Sequence, residues 1–258
     1  MRFSLACAFA AVVAAAPLSA AQAAAPWVYR DLVLPRHDVA LDFGFGLGHE
    51  PAVTGLGLNL ELAAGLGRDF ELGFRTGFRL DEAGQSTKAD RYGRPFDNET
   101  YGTFNDRIAD PELRLLWSVA RATAAELGIE LRFYLPIEAN SRFGFMVGLP
   151  IRLRTGVLRV DTGLYVPVIF TEPTETVVSV PLHIWIQASR TLWLGPLLGL
   201  QVINAGGGSH TGYPLGFGLG SALSRAIDLR LWFLFPDMNR DAAARFWGAG
   251  IALQIRFE

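Results

Sequence analysis

The 258-residue chain holds one cysteine, Cys7, and one lysine, Lys88. A lone cysteine excludes a disulfide framework, a cysteine zinc site and a CxxC redox motif. Net charge is only −2, without the basic excess that marks nucleic-acid binders, so no nucleic-acid partner is expected. Charged residues are also few, 19% against 50% hydrophobic, which excludes a disordered chain. Mean hydropathy is +0.26. Such a value suits a helical membrane protein, yet beyond Ala25 no apolar run reaches the ~20 residues that a crossing helix needs. What the chain has in quantity is glycine, at 28 residues, and aromatics, at 12%.

The first segment reads as an address. Met1-Arg2 is a positive start, Leu5 to Ala16 an apolar stretch broken by Pro17, and Ala21-Gln22-Ala23 a small-x-small cleavage site. That is the layout of a secretory signal peptide. The apolar stretch is too short and alanine-rich for a retained anchor. Leu5-Ala6-Cys7 lies before that stretch, so it is not a lipidation box. The expected division is a signal peptide at 1–23, an extended N-terminal segment at 24–37 and one β-barrel domain at 38–258.

From Val39 the hydrophobic period becomes two. Val39, Leu41, Phe43, Phe45 and Leu47 alternate with Ala40, Asp42, Gly44 and Gly46. The pattern recurs from Leu56, Phe70, Leu113, Leu127, Phe145, Leu158, Val178, Leu192, Leu215, Ile227 and Trp247. Side chains on a strand point alternately to opposite faces, so each segment has one apolar face and one small or polar face. About twelve strands of roughly 9–12 residues match the length of a tilted bilayer-crossing strand. The connections alternate. Short ones lie at Gly67-Arg68-Asp69, around Arg121, at Thr155-Gly156, Ser189-Arg190-Thr191 and Ser224-Arg225-Ala226. Longer ones are expected near His49 and at 81–110, 138–144, 171–175, 205–213 and 237–245. Four short turns share an apolar–small–Arg unit: Leu66-Gly67-Arg68, Val119-Ala120-Arg121, Ala188-Ser189-Arg190 and Leu223-Ser224-Arg225. The unit reads as one hairpin reused, with its arginine at a wet turn tip.

A soluble sandwich or lipocalin-like barrel would bury the apolar face, whereas a membrane barrel turns it outward around a polar lumen. The second arrangement is favoured by the large, uniform apolar face and the glycine-rich polar face. The expected fold is therefore all-β, a transmembrane up-and-down antiparallel barrel of about twelve strands. Its short turns would be periplasmic and its longer loops extracellular. The ending Gly250-Ile251-Ala252-Leu253-Gln254-Ile255-Arg256-Phe257 resembles the C-terminal assembly signal of Gram-negative outer-membrane barrels, with Glu258 added. The resemblance implies that Phe257 is read by the barrel-assembly machinery and that the chain resides in the outer membrane, among its lipids. The layout of the mature chain also resembles outer-membrane transporters associated with phenol meta-pathway degradation.

No catalytic constellation emerges. Ser209 and His210 are adjacent, so on an extended segment they point apart. The Gly44-x-Gly46-x-Gly48 run lies inside an alternating segment with no following helix, which excludes a phosphate cradle. The acids of 81–110 match no EF-hand spacing. No enzyme activity, metal or cofactor is expected. The inward-phase charges are the candidate site: Glu61, Arg75, Arg79, Arg114, Glu130, Arg132, Arg152, Arg159, Asp161, Asp228, Arg230 and Arg256, with His183. A three-residue turn at Gly67-Arg68-Asp69 sets Glu61 opposite Arg75, a cross-strand ion pair. The register of Glu112 and Arg114 against Glu130 and Arg132 stays open. These groups would either line a narrow pore for small solutes or pair off in a nearly closed, non-transporting structural barrel.

The signal peptide has a direct test. Intact mass of the exported protein should correspond to a chain that begins at Ala24 and takes up no thiol reagent, since Cys7 leaves with the leader. A mass that retains Met1 to Ala23 would refute cleavage.

Overall fold

The structure is a computed structural model. It describes residues 26–258 except 51–52, 80–107, 138–142, 171, 173, 206 and 240. The expected signal peptide lies outside the described residues, as does the acidic 81–110 segment up to residue 107.

The strands, in chain order, are β1 (Val39–Glu50), β2 (Val53–Gly65), β3 (Phe70–Arg79), β4 (Ile108–Arg121), β5 (Ala125–Tyr134) and β6 (Gly144–Thr155). They continue with β7 (Leu158–Ile169), β8 (Glu175–Gln187), β9 (Leu192–Ala205), β10 (Gly208–Gly212), β11 (Leu215–Ala222), β12 (Ile227–Phe235) and β13 (Trp247–Phe257). Neighbours in sequence pair antiparallel, and β1 pairs with β13 from Val39↔Phe257 to His49↔Trp247. The sheet thereby closes into a ring, joining its first and last strands. β10 and β11 pair with the two halves of the same strand, β9. They form one stave interrupted at Tyr213-Pro214, where proline has no N–H to give the ladder. The closed barrel therefore has twelve staves, as the alternation predicts.

The apolar phase of every strand faces outward. Phe43, Leu62, Phe74, Leu149, Leu182 and Phe217 are all exposed, while the alternate positions Asp42, Glu71, Arg152, Ser179 and Gln201 are buried. This is the inverse of a soluble β-sandwich.

Several sequence expectations need correction. Gly208–Gly212, expected within a long connection, is strand β10, because its backbone completes the upper half of β9. β4 starts at Ile108, inside the expected 81–110 loop. β1 and β2 pair through Glu50↔Val53, so the connection beyond His49 is short and the alternation of turn lengths is not strict. In β4 a bulge between Ser118 and Ala120 takes Val119 out of the ladder and sets Ala120 opposite Leu127, on the outer face. A bulge adds one residue to one strand, so period two breaks there. The tight turns otherwise form as expected. The β6–β7 turn is closed by Gly156 at φ +54, a left-handed conformation that glycine adopts without steric cost.

Phe257 stands half-exposed on the outer face of the closing ladder, opposite Val39. Phe257→Ser should lower the yield of folded barrel several-fold, read as the unboiled, fast-migrating band on a denaturing gel. Glu258→Ala should leave the yield near wild type. Equal yields would show that the terminal phenylalanine plays no part in assembly.

Candidate functional site

The inner wall carries the expected charges. Glu61, Arg75, Arg114, Glu130, Arg132, Arg152, Arg159, Asp161, His183, Asp228, Arg230 and Arg256 all occupy the face opposite the apolar one. Arg79 pairs with Gly57 in the ladder at the end of β3. Glu61 does lie opposite Arg75. The open register resolves with Arg114 directly opposite Arg132, a like-charge pairing that alone is unfavourable. It is tolerated because each guanidinium has its own acids. Arg114 reaches Glu61 at 3.1 Å and also Glu71, and Arg132 reaches Glu130 at 2.5 Å and Glu112 at 3.3 Å.

The remaining charges pair in the same way. Asp161 is clasped by Arg152 and Arg159, each at 2.7 Å, Arg154 bonds Glu126 at 2.5 Å, Arg230 bonds Asp42, and Arg256 approaches Asp228 to 3.3 Å. A buried charge persists only when paired and hydrogen-bonded. The inner wall is therefore a ring of ion pairs, not a row of bare charges.

The chain before β1 lies inside this ring. It enters from a turn at Pro35 to Asp38, where His37 takes φ +75 and the Asp38 N–H donates to the Pro35 carbonyl at 3.1 Å. Gly65 permits the passage, since a Cβ there would stand 1.9 Å from the Pro35 oxygen. From that point back to Trp27 the segment crosses the short-turn end of the lumen. Leu34 N–H donates to Glu71 at 2.8 Å and Leu32 N–H to Glu126 at 2.6 Å. Arg30 bridges to Asp228 on the far wall, and Asp31 is held by Arg121 and Arg154, each at 3.3 Å.

The backbone carbonyls of the segment have no strand partner, and buried carbonyls need donors. The arginines of β6 and β7 supply them. Arg152 donates to the carbonyls of Arg30 and Asp31, Arg154 to Tyr29 at 2.6 Å, and Arg159 to Trp27 at 3.3 Å. Trp27 anchors the far end. It stacks on Trp193 at 4.8 Å, meets Trp185 edge-on at 5.2 Å, and lies under the Arg159 guanidinium at 3.8 Å. Such aromatic and cation–π contacts are worth ~1 kcal/mol each beyond area burial.

The inner face is expected to be small or polar, but the structure divides it. Trp185, Trp193, Leu197, Trp232, Leu234 and Ala252 form an apolar cluster on the inner wall of β8 to β13. A second cluster holds Tyr134, Met146, Tyr165 and Ile169. The tryptophans lie flat against glycines: a Cβ at Gly218, Gly220 or Gly250 would come within 2.5, 2.1 or 2.6 Å of Trp185, Trp193 or Trp232. The polar phase of the sequence shows these glycines but not the rings that fill their space, because those come from other strands. His183 belongs to this sector, edge-on to Trp185 at 6.3 Å.

Arg121 is exposed, as expected, but it ends β4 and does not sit at the turn tip. It turns inward to Asp31, because β4 ends on the inner phase after its bulge. His210 is not on an irregular loop tip either. It bonds Asp237 at 2.5 Å, and Asp237 also accepts the Tyr213 and Asn239 N–H groups at 3.1 and 2.8 Å. Partial burial works against the Asp237 carboxylate, but these hydrogen bonds prevail and hold its pKa below the ordinary value. Any stability from this contact is present at neutral pH and is lost as pH falls through the carboxylate range. Ser209 points to the other face of the strand, so the His–Asp pair has no adjacent nucleophile. Among the described residues no group of three acid, histidine or cysteine side chains is placed to hold a metal.

Glu126 joins wall and segment, so its removal should be costly. Glu126→Gln strips the buried charge partner from Arg154, leaving it only the exposed Asp31, and should lower stability by ~3 kcal/mol, read as a lower urea midpoint in detergent. Trp27→Ala should leave the barrel midpoint nearly unchanged but expose residues 26–34 to protease. A protected segment in Trp27→Ala would show that the aromatic seat does not hold it.

The sequence matches no protein-family model and no curated protein. Solved structures share the architecture. The chain is similar to the KdgM porin, with a TM-score of 0.56, 10% identity and coverage of 85% of this chain and 99% of that one. It is similar to the NanC porin, with a TM-score of 0.59, 7% identity and coverage of 84% and 99%. It is also similar to an outer membrane channel from Pseudomonas putida F1, with a TM-score of 0.56, 12% identity and coverage of 90% and 99%. The chain thus has the closed antiparallel barrel fold that these outer-membrane channels share.

Proposed function

We propose that this protein is an outer-membrane channel of narrow bore that admits small solutes, with its short turns in the periplasm and residues 26–37 filling the periplasmic mouth. The carrying observation is the polarity of a closed barrel. Its outer face is continuously apolar, as lipid requires, and its ionisable groups lie inside, where Arg at mid-bilayer avoids the ~2–4 kcal/mol cost of facing lipid. An inner wall rich in paired charges can sort ions as they pass. The shared fold with two porins and an outer membrane channel supports this reading. The resemblance of the sequence layout to transporters of the phenol meta-pathway supports uptake over a purely structural role. Glu61, Arg75, Arg79, Arg114, Glu130, Arg132, Arg152, Arg159, Asp161, His183, Asp228, Arg230 and Arg256 are then the pore-lining set.

One observation favours the alternative, a barrel without transport. The N-terminal segment lies across the lumen and takes hydrogen bonds from the arginines that would otherwise face a solute. The two readings differ in what happens when the segment is loosened.

The test is conductance in a planar bilayer. The full mature protein should show small, infrequent openings with weak anion preference, and Trp27→Ala should raise open probability. Arg152→Glu together with Arg159→Glu removes two of the three arginines that hold the segment's carbonyls, so current should rise and preference should turn towards cations. Absence of current from all three folded proteins would establish the non-transporting barrel.

A further inference from the structure

The arginine units at the turns lie at the outer rim, with one exception. Arg68, Arg190 and Arg225 are exposed at the β2–β3, β8–β9 and β11–β12 turns, and Arg36 is exposed at the same end of the barrel. The side chains of Arg36, Arg68 and Arg190 take part in no ion pair or hydrogen bond among the described residues. The exception is the fourth copy, Arg121, which turns inward.

The acids at this end are buried or lie beside other groups. Glu71, Glu126 and Asp228 are buried in the lumen. Asp31 and Asp69 lie 3.3 and 3.9 Å from Arg121, and Glu258 lies beside Asp38 and Arg256. Arg36, Arg68 and Arg190 therefore stand exposed with no acid in ion-pair reach among the described residues, and every rim cation is an arginine, since the only lysine in the chain is Lys88.

The apolar surface runs up to these arginines. Leu66 is 61% exposed, Val157 57% and Leu223 45%. Leu66 and Leu223 each precede a rim arginine by two residues. A leucine at the edge of the apolar belt with a guanidinium just beyond it matches an acyl chain joined to a phosphate. Arginine suits that second part because its planar fork donates two parallel hydrogen bonds to phosphate oxygens. An acidic protein surface would meet the charges but leave the apolar collar unused.

We propose that Arg68, Arg190 and Arg225, the first and last beside the exposed leucines Leu66 and Leu223, bind the phosphate of a net-anionic phospholipid in the periplasmic leaflet. The inference rests on the membrane placement given above. Juxtamembrane basic residues attract anionic lipid surfaces, and the attraction fades with salt.

The experiment uses the full mature protein in detergent with equal amounts of phosphatidylglycerol and phosphatidylcholine, and native mass spectrometry counts the lipids retained. Wild type should retain phosphatidylglycerol preferentially. Arg68→Gln, Arg190→Gln and Arg225→Gln combined should reduce that preference by about fivefold for each arginine removed, with the unboiled gel mobility unchanged. If the triple variant does not fold, Arg190→Gln alone is read. Soluble glycerol phosphate, which lacks acyl chains, should not displace the lipid. The inference is overturned by no headgroup preference in wild type, by an unchanged ratio in the variants, or by displacement with glycerol phosphate. It is also overturned if the variants lose an acidic periplasmic protein while keeping the lipid ratio. Failure of the protein to insert into vesicles would instead refute the membrane placement itself.

Discussion

Closure of the hydrogen-bond ladder between β1 and β13 is the constraint on which everything else depends. An open sheet would present a row of unsatisfied N–H and C=O groups, and in hydrocarbon each costs several kcal/mol. Here the first and last strands of the barrel pair over eleven positions, from Val39↔Phe257 to His49↔Trp247. Once the ring is shut, every strand has a forced inside and outside, and period two decides which residues meet which. The interruption at Tyr213-Pro214 survives because β10 and β11 share β9 as a continuous template.

A ring of this size encloses more space than its own small inner residues fill. The chain solves this in two ways. On the β8 to β13 side, tryptophans lie against glycines and thicken the wall. On the β2 to β7 side, arginines and acids pair across strands, and three of the arginines extend to the carbonyls of the N-terminal segment. The segment is thus held by the same groups that would otherwise define a charged passage. Asp161 and Glu126 show the economy of the arrangement. Each sits between cations of the wall, and those cations also grip the segment.

Much of the barrel was legible before any coordinates. Twelve alternating segments, an outward apolar phase, the Glu61↔Arg75 register and the inward position of His183 follow from residue spacing alone, because strand periodicity and a tight turn are local. The bulge at Val119 was not legible, since an extra residue is visible only against its partner strand. Nor were β10, the Arg114↔Arg132 register or the inward turn of Arg121. Each depends on which residue of another strand stands opposite.

What the amino-acid sequence determined by itself is the two-faced character of each strand and the placement of charge on one face. Those properties are set by alternation over a few residues and by the cost of exposing arginine to an apolar medium. What only the tertiary structure decided is that part of the inner wall is aromatic and that the segment from Trp27 to Leu34 lies within the lumen. Trp27, Trp185, Trp193 and Arg159 come from four separate segments, and the carbonyls that Arg152 and Arg154 cap are more than 120 residues away in the chain. Contacts at that separation leave no periodic trace, because they are fixed by the curvature of a closed ring and not by the order of neighbours along one strand.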